Sequence, residues 1–334
     1  MKKIRIAIAG YGNLGKGAAK AVKTNSDMEL KAVFTRRDPA SIKIDDSSVA
    51  VLSIDSAKTM VGEIDVCLLC GGSATDLPQQ GPYFASMFNT VDSYDTHAKI
   101  PEYMAAVDAA ATKTTAIISV GWDPGLFSMM RALFEAALPD GMTHTFWGKG
   151  LSQGHSDAIR QIKGVKYAAQ YTNPIERAVE AVRSGQDPVL SAREKHSREC
   201  FVVAEANADE AKIAETIKNM PHYFADYDTT VNFIDEGEFA ANHSKMPHGG
   251  MVLRSGKTGE EKDCEGKPCK NNQIMEFSLK LDSNPEFTGS VLTAYARAAY
   301  RMSQEGLFGA KTVFDVPVSH LAQKDRLPLI KEML

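Results

Sequence analysis

The sequence predicts an α/β protein: a Rossmann-type doubly wound parallel sheet with a second, α+β domain. Three observations carry that prediction. Residues 3–37 read as strand, glycine turn, helix and strand, at the length of one βαβ unit. Strand and helix patterns then alternate as far as Val120, the rhythm of an open parallel sheet. Beyond that point strands cluster and helices thin out, as in an α+β unit.

The opening run Ile4-Arg5-Ile6-Ala7-Ile8-Ala9 ends in Gly10-Tyr11-Gly12-Asn13-Leu14-Gly15, which fits G-x-G-x-x-G. Gly10 suits a tight turn, Gly12 lets a pyrophosphate approach the backbone, and Gly15 lets helix and strand close up. The helix that follows (Ala18, Ala19, Val22) offers its N-terminal N–H groups to phosphate. After a turn at Asn25-Ser26-Asp27 comes a second apolar run, 30–34, ending in Thr35-Arg36-Arg37. An NAD unit usually carries Asp or Glu here. Two guanidiniums suit a 2′-phosphate, so the reading is NADP; two solvated arginines would be the structural alternative.

Residues 64–70 form a continuous apolar run, a parallel strand covered on both faces, and end in Gly71-Gly72-Ser73. Residues 89–95 read as the next strand and its exit loop, 101–111 as a helix and 115–120 as a strand. The last of these leads into Gly121-Trp122-Asp123-Pro124-Gly125 and a helix over 126–138. In the second half 143–148 reads as a strand, and 150–167 as Gly- and Ser-rich loop and helix. Residues 199–205, 229–234 and 274–281 read as strands of an antiparallel sheet, with a helix over 208–219. The polar stretch 256–272 reads as an exposed hairpin loop, and 290–304 as a strong helix returning to the first domain. The domains are therefore placed at 1–122 plus about 290–334 and at 123–289.

A length of 334 residues suits two domains, and 43% hydrophobic with 24% charged residues is ordinary for a globular protein. The net charge of −4 argues against nucleic-acid and anionic-membrane partners. No apolar run approaches the ~20 residues of a membrane span, and the first strand starts with no leader, so a cytoplasmic enzyme is expected. Five cysteines suggest free thiols: Cys67 and Cys70 on a buried strand, Cys200, and Cys264 with Cys269 in a polar loop. A zinc site from that last pair with His243 and His248 is disfavoured, and no metal is expected.

Three groups of residues could carry chemistry. Asp92, Asp95 and Asp123 follow apolar strands at the ligand edge of the sheet, where a carboxylate could grip an ammonium group; turn-capping is the alternative. Phe146-Trp147-Gly148 precedes a Gly-rich loop, Leu151-Ser152-Gln153-Gly154-His155-Ser156-Asp157, whose backbone N–H groups could bind a carboxylate. Thr172, Arg198 on a strand edge, and Met246-Pro247-His248-Gly249-Gly250 could jointly bind another.

Nearly end to end, the chain resembles the meso-diaminopimelate D-dehydrogenase family. The resemblance rests on GYGNLG from Gly10, Thr35-Arg36-Arg37, CGGSATD from Cys70 and VDSYDTH from Val91. Further on it rests on GWDPG from Gly121, HTFWGKGLSQGHSDA from His144, CFVVAEA from Cys200, VNFIDE from Val231, MPHGG from Met246 and LDSNPEFT from Leu281. It implies NADP-dependent oxidative deamination at the D-centre of meso-2,6-diaminopimelate, giving L-2-amino-6-oxopimelate, ammonia and NADPH, in a homodimer. It further implies that Asp95 and Asp123 hold the reacting amino group, that Trp147 shapes the pocket wall, and that Gln153-Gly154 meets the nearby carboxylate. Thr172, Arg198, His248 and Asn284 would hold the distal L-centre. NADP would contact Gly10, Tyr11, Gly12, Asn13, Leu14, Thr35, Arg36, Arg37, Cys70, Gly71, Gly72, Ser73, Asp92, Ser93 and Tyr94. The stretch 256–272 has no clear counterpart in the resemblance. Rival readings are another NADP-dependent oxidoreductase on the same plan and a non-catalytic NADPH sensor.

Overall fold

The structure, a computed structural model, describes residues 3–262 and 265–334. The chain divides into two compact units, Met1–Met129 with Pro285–Leu334, and Met130–Asn284.

The first unit opens with β1 (Ile4–Ala9), α1 (Asn13–Thr24), β2 (Met28–Thr35), β3 (Ala50–Ser53), β4 (Val66–Leu69), α2 (Leu77–Ala85), β5 (Asn89–Asp92), α3 (Ile100–Ala110) and β6 (Thr115–Ile117). α4 (Leu126–Ala137) crosses into the second unit. That unit holds β7 (Gly141–Trp147), β8 (Gly150–Leu151), α5 (Gln153–Arg160), β9 (Val165–Pro174), α6 (Glu176–Arg183), α7 (Ala192–Lys195), β10 (His196–Ala204), α8 (Glu210–Lys218), β11 (Asp228–Phe233), α9 (Glu236–Asn242), β12 (His248–Lys262) and β13 (Pro268–Leu281). The chain returns through α10 (Asn284–Gln304) and adds β14 (Gly309–Lys311).

The large sheet has the order β14-β6-β5-β4-β1-β2-β3 with every pairing parallel. Alternate residues feed its two faces. Ile6, Ile8, Val33, Leu68 and Ile117 pack against α1 and α10 through Ala18, Leu292, Tyr295 and Ala299. Ala7, Ala9, Phe34 and Leu69 pack with Leu77, Phe84, Tyr103 and Val107 of α2 and α3. The central strands β1 and β4 are buried on both sides, which is why residues 66–69 read as an unbroken apolar run. α10 lies close to α1: a Cβ on Gly17 would fall 2.5 Å from Pro285 O, and one on Gly289 would fall 2.4 Å from Ala18 N. Arg297, 2% exposed, ties α10 to the turn before β2 through Asp27 and Asn25.

The second unit departs from the sequence-based expectation in three places. Its strands form two sheets, β11-β10-β9-β8 and β13-β12-β7. β10 and β11 pair in parallel, because α8 between them is a crossover helix, whereas β10 and β9 pair antiparallel. Residues 274–281 belong to β13 in the other sheet. The stretch 256–272 is mostly the two arms of a long ribbon, with β12 and β13 paired from His248↔Leu281 out to Lys262↔Pro268. Its described outer residues are exposed on both faces, so polar side chains suit every position. Near its base Gly256 is held tight, since a Cβ there would lie 2.5 Å from Asp140 O. Finally, β9 and α6 occupy a stretch, 165–183, for which the residue pattern predicts no strand beyond the loop and no second helix.

Candidate active site

In the first unit, the ends of β1, β2, β4 and β5 lie side by side in the sheet. Gly10 has φ +91°, and its N–H donates to Phe34 O at 2.8 Å. A Cβ on Gly15 would come within 2.1 Å of Gly10 O, whereas one on Gly12 would meet nothing within 4 Å. No side chain caps α1 at Gly12. The turn is thus closed on its inner side and open on its outer side, at a helix N-terminus, which fits a pyrophosphate.

At the end of β2 the Thr35 hydroxyl accepts from Arg37 N at 3.1 Å, and Arg37 donates to Tyr11 O at 2.9 Å. Arg36 pairs with Asp76 through two contacts of 2.7 and 2.9 Å, its own side chain staying 67% exposed. Two arginines therefore sit in the open beside the glycine turn, a suitable seat for a 2′-phosphate. Beyond Cys70, whose N–H donates to Ala9 O at 2.7 Å, Gly71 and Gly72 pack on Asp76; Gly72 N donates to its carboxylate at 2.9 Å. Ser73 Oγ accepts from Asp95 N at 2.9 Å and bonds Thr96 Oγ1 at 3.2 Å, fixing the loop that carries the exposed Asp95.

Asp92 does not present its carboxylate at this edge, contrary to the sequence reading. It is 1% exposed and accepts from Tyr94 N, Ser119 N and the Tyr103 hydroxyl at 3.0, 3.0 and 2.7 Å. Burial pushes its carboxyl up to about 6 against those three donors. Tyr94 is likewise 2% exposed, its ring stacked on Tyr103 at 4.1 Å. Any cofactor contact by these two residues is left to the backbone; Ser93 between them is half-buried. Asp123 sits half-buried in the turn between β6 and α4. Leu126 N to Gly121 O at 3.0 Å and Phe127 N to Trp122 O at 2.8 Å brace that turn. Gly125, at φ +132°, is irreplaceable there because a Cβ would meet Gly121 O at 1.9 Å.

In the second unit the pairing registers set Gly150, Thr172, Arg198 and Thr229 in one row across β8, β9, β10 and β11. Arg198 is therefore on an inner strand and 8% exposed, not on a strand edge. Its Nη1 donates to Thr172 Oγ1, and its guanidinium lies 4.0 Å over the ring of Tyr227. Gln170, fully buried, also directs its amide at Thr172 Oγ1, at 3.4 Å. With both donors aimed at that oxygen, the Thr172 proton is turned outward. His248 sits over Gly150, where a Cβ would lie 2.5 Å from its Nδ1. Nδ1 lies 2.8 Å from Gly249 N and 3.2 Å from Gly249 O. Burial lowers the affinity of His248 for a second proton. Asn284 opens α10, and its N–H donates to Met246 O at 2.9 Å, two residues from His248.

Gln153 and Gly154 begin helix α5; they are not in a loop as the sequence suggested. No side chain caps α5 at Ser152, and Gly154 is exposed with nothing within 4 Å of a Cβ built on it. Trp147 ends β7, 40% exposed, with its N–H donating to His196 Nε2 at 2.8 Å and its ring against that imidazole. Burial, then Arg198 and Lys195, push His196 down to about 4; burial and then Arg198 push His155 down to about 4. Both rings are neutral near pH 7, so Arg198 is the cation of the row. Sequence reasoning missed Tyr227, Thr229 and His196 as neighbours of this row, and it took His155 only as part of a loop. The signal for Thr229 lies only in the strand register, which no local pattern reveals. Among the described residues no cluster of three metal-ligating side chains occurs; Cys269 is exposed and Cys264 lies outside the described residues.

The sheet order, the open phosphate turn and the paired arginines define the class: a Rossmann-type dehydrogenase. The model of the diaminopimelic acid dehydrogenase C-terminal domain matches residues 121–283. The chain is 62% identical to the meso-diaminopimelate D-dehydrogenase of Ureibacillus thermosphaericus over 336 aligned residues, covering 100% of both. Among solved structures, the Corynebacterium glutamicum DAP dehydrogenase in complex with DAP is 43% identical, with a TM-score of 0.89 and 100% of both chains covered. An engineered D-amino acid dehydrogenase bound to NADP+ is 42% identical, with a TM-score of 0.84 and the same coverage. The chain belongs to the meso-diaminopimelate D-dehydrogenase family.

Proposed function

We propose that this chain catalyses NADP-dependent oxidative deamination of meso-2,6-diaminopimelate at its D-centre, giving L-2-amino-6-oxopimelate, ammonia and NADPH. The observation that carries the reading is the row of Thr172 and Arg198 with His248 above it, in a chain 62% identical to an enzyme of that name. The substrate carries an ammonium and a carboxylate at each end, and the chain's side chains match that list. Asp95 and Asp123 hold the reacting ammonium, and its proton passes to one of these carboxylates or to a water. The N–H groups at Gln153 and Gly154 take the neighbouring carboxylate, and Trp147 closes the wall. Arg198, Thr172 and His248 take the distal carboxylate, with Asn284 beside them. Fixing both ends decides which centre reacts, and positioning of this kind supplies much of an enzyme's rate.

The cofactor, when bound, supplies the hydride acceptor. The glycine turn from Gly10 through Leu14 cradles its pyrophosphate, Thr35, Arg36 and Arg37 take the 2′-phosphate, and the segments Cys70 to Ser73 and Asp92 to Tyr94 line the remainder. The reading extends to a cytoplasmic homodimer; light scattering on a sizing column tests the dimer.

The decisive assay follows reduced nicotinamide by absorbance with meso-diaminopimelate and NADP+, beside the L,L isomer and NAD+. Signal with the meso isomer and NADP+ is expected. Signal with neither isomer, in protein that still binds NADPH, would overturn the substrate and leave the sensor reading.

A further inference from the structure

The Arg198 row has one member that the proposed chemistry does not yet use. Thr229 lies directly across from Arg198 in the parallel β10–β11 pairing. Neighbouring strands are about 4.8 Å apart, and facing residues in a parallel pair project to the same side. On the other flank of Arg198 stands Thr172. The guanidinium is therefore bracketed by two hydroxyls. Thr172 is spoken for as an acceptor and turns its proton outward. Thr229 Oγ1 is buried with no hydrogen-bond partner, and so is Arg198 Nε. Two adjacent buried donors with no acceptor among the protein's groups are a standing cost unless a ligand supplies oxygens. A carboxylate laid across the row offers an acceptor oxygen to each of these donors, carries the charge that matches the guanidinium, and reaches Thr172 as well. Tyr227, just before β11, supports the guanidinium from below at 4.0 Å.

Resting on the diaminopimelate reading above, we propose that Thr229 is a further substrate-binding residue. Its hydroxyl donates to the same distal carboxylate as Arg198 and Thr172, and Tyr227 is a positioning residue that holds the guanidinium level with that carboxylate. The row then discriminates between a substrate that carries a distal carboxylate and a simple D-amino acid that lacks one.

The test compares Thr229→Val, Thr229→Ser, Tyr227→Leu and Tyr227→Phe with Arg198→Met, in full-length protein with NADP+ and meso-diaminopimelate. Thr229→Val is expected to raise the KM for diaminopimelate at least about tenfold, the loss of one hydrogen bond to a charged group, while kcat and the KM for NADP+ stay within about twofold. Thr229→Ser, which keeps the hydroxyl, recovers the KM. Tyr227→Leu raises it more than Tyr227→Phe, which keeps the ring face and loses only the hydroxyl's bond to the guanidinium. Thr229→Ala supplies the same readout should the Val variant not fold. An unmoved KM in Thr229→Val beside a raised one in Arg198→Met overturns the role of Thr229 alone. A Ser variant as impaired as Val overturns it too, by showing that the methyl packing mattered. An unmoved KM in Arg198→Met removes the distal-site reading itself.

Discussion

Two glycines of the phosphate turn should respond to the same substitution in opposite ways. At Gly15 a Cβ would sit 2.1 Å from Gly10 O, a backbone atom that cannot swing aside. Gly15→Ala must separate α1 from β1, and overpacking of this severity costs about 3 kcal/mol. In a unit of this size that lowers the melting temperature by roughly 6–12 °C. At Gly12 the backbone has φ −87° and ψ −157°, which any residue adopts, and a Cβ would meet nothing within 4 Å. Gly12→Ala therefore loses only the small N-cap advantage of glycine, about 1 kcal/mol at most. The open space is instead where a pyrophosphate must touch the backbone. A methyl there should raise the Kd for NADPH at least about tenfold, equivalent to ~1.4 kcal/mol. Thermal melts by circular dichroism read the first quantity and NADPH fluorescence titration reads the second. A Gly12→Ala protein that binds NADPH like the parent, or that melts as low as Gly15→Ala, would refute this division of roles.

Replacing Arg36 and Arg37 together by Ala should cut the preference for NADP+ over NAD+ by about ten- to a hundredfold, read as the ratio of kcat/KM values; an unchanged ratio would exclude them from the 2′-phosphate site. Asp92 has its folded-state pKa raised, to about 6, so the folded protein holds the extra proton and stability falls as pH rises from about 4 to 6. Asp92→Asn keeps an acceptor for the Tyr94 and Ser119 N–H groups, turns an amide N–H toward the Tyr103 hydroxyl oxygen, and should flatten that slope, with a gain at pH 7 of at most roughly 3 kcal/mol; urea melts across this window check it. His144 acts in the opposite sense. It is 2% exposed, neither ring nitrogen has a partner, and burial lowers its pKa, so stability falls as pH drops through the ordinary imidazole range near 6.5 and the unfolded chain takes up a proton. His144→Met should remove that acid sensitivity and add about 1–3 kcal/mol at neutral pH, measured by calorimetry.

The doubly wound sheet was legible because its physics is local. β1 falls on the six residues Ile4–Ala9 that the apolar run marks out, and the glycine turn follows at once. The second unit was harder for reasons its residues make plain. In β9, residues 168–172 are all buried, so the period-two alternation that marks a strand is missing. On the outer β12–β13 ribbon the reverse holds, since both faces meet water and polarity alone resembles a loop. Parallel pairing of β10 with β11 depends on the direction of the α8 crossover, which composition does not encode. In the candidate site, Asp92 and Asp95 look alike in sequence. Tyr103 of α3 and the N–H groups of Tyr94 and Ser119 turn one inward, while Ser73 holds the loop that leaves the other exposed.

The second unit is inserted into the first, and this sets an order of events during synthesis. When residue 129 has left the ribosome, six of the seven strands of the large sheet exist, but α10 does not. The sheet face that Leu292, Tyr295, Ala296 and Ala299 will cover is still bare, and β6 still lacks β14 beside it. Both arrive only after all of Met130–Asn284 has been made. The unit that begins first is thus completed last. The intervening unit, whose sheets draw every strand from its own segment, has all its parts before its neighbour does.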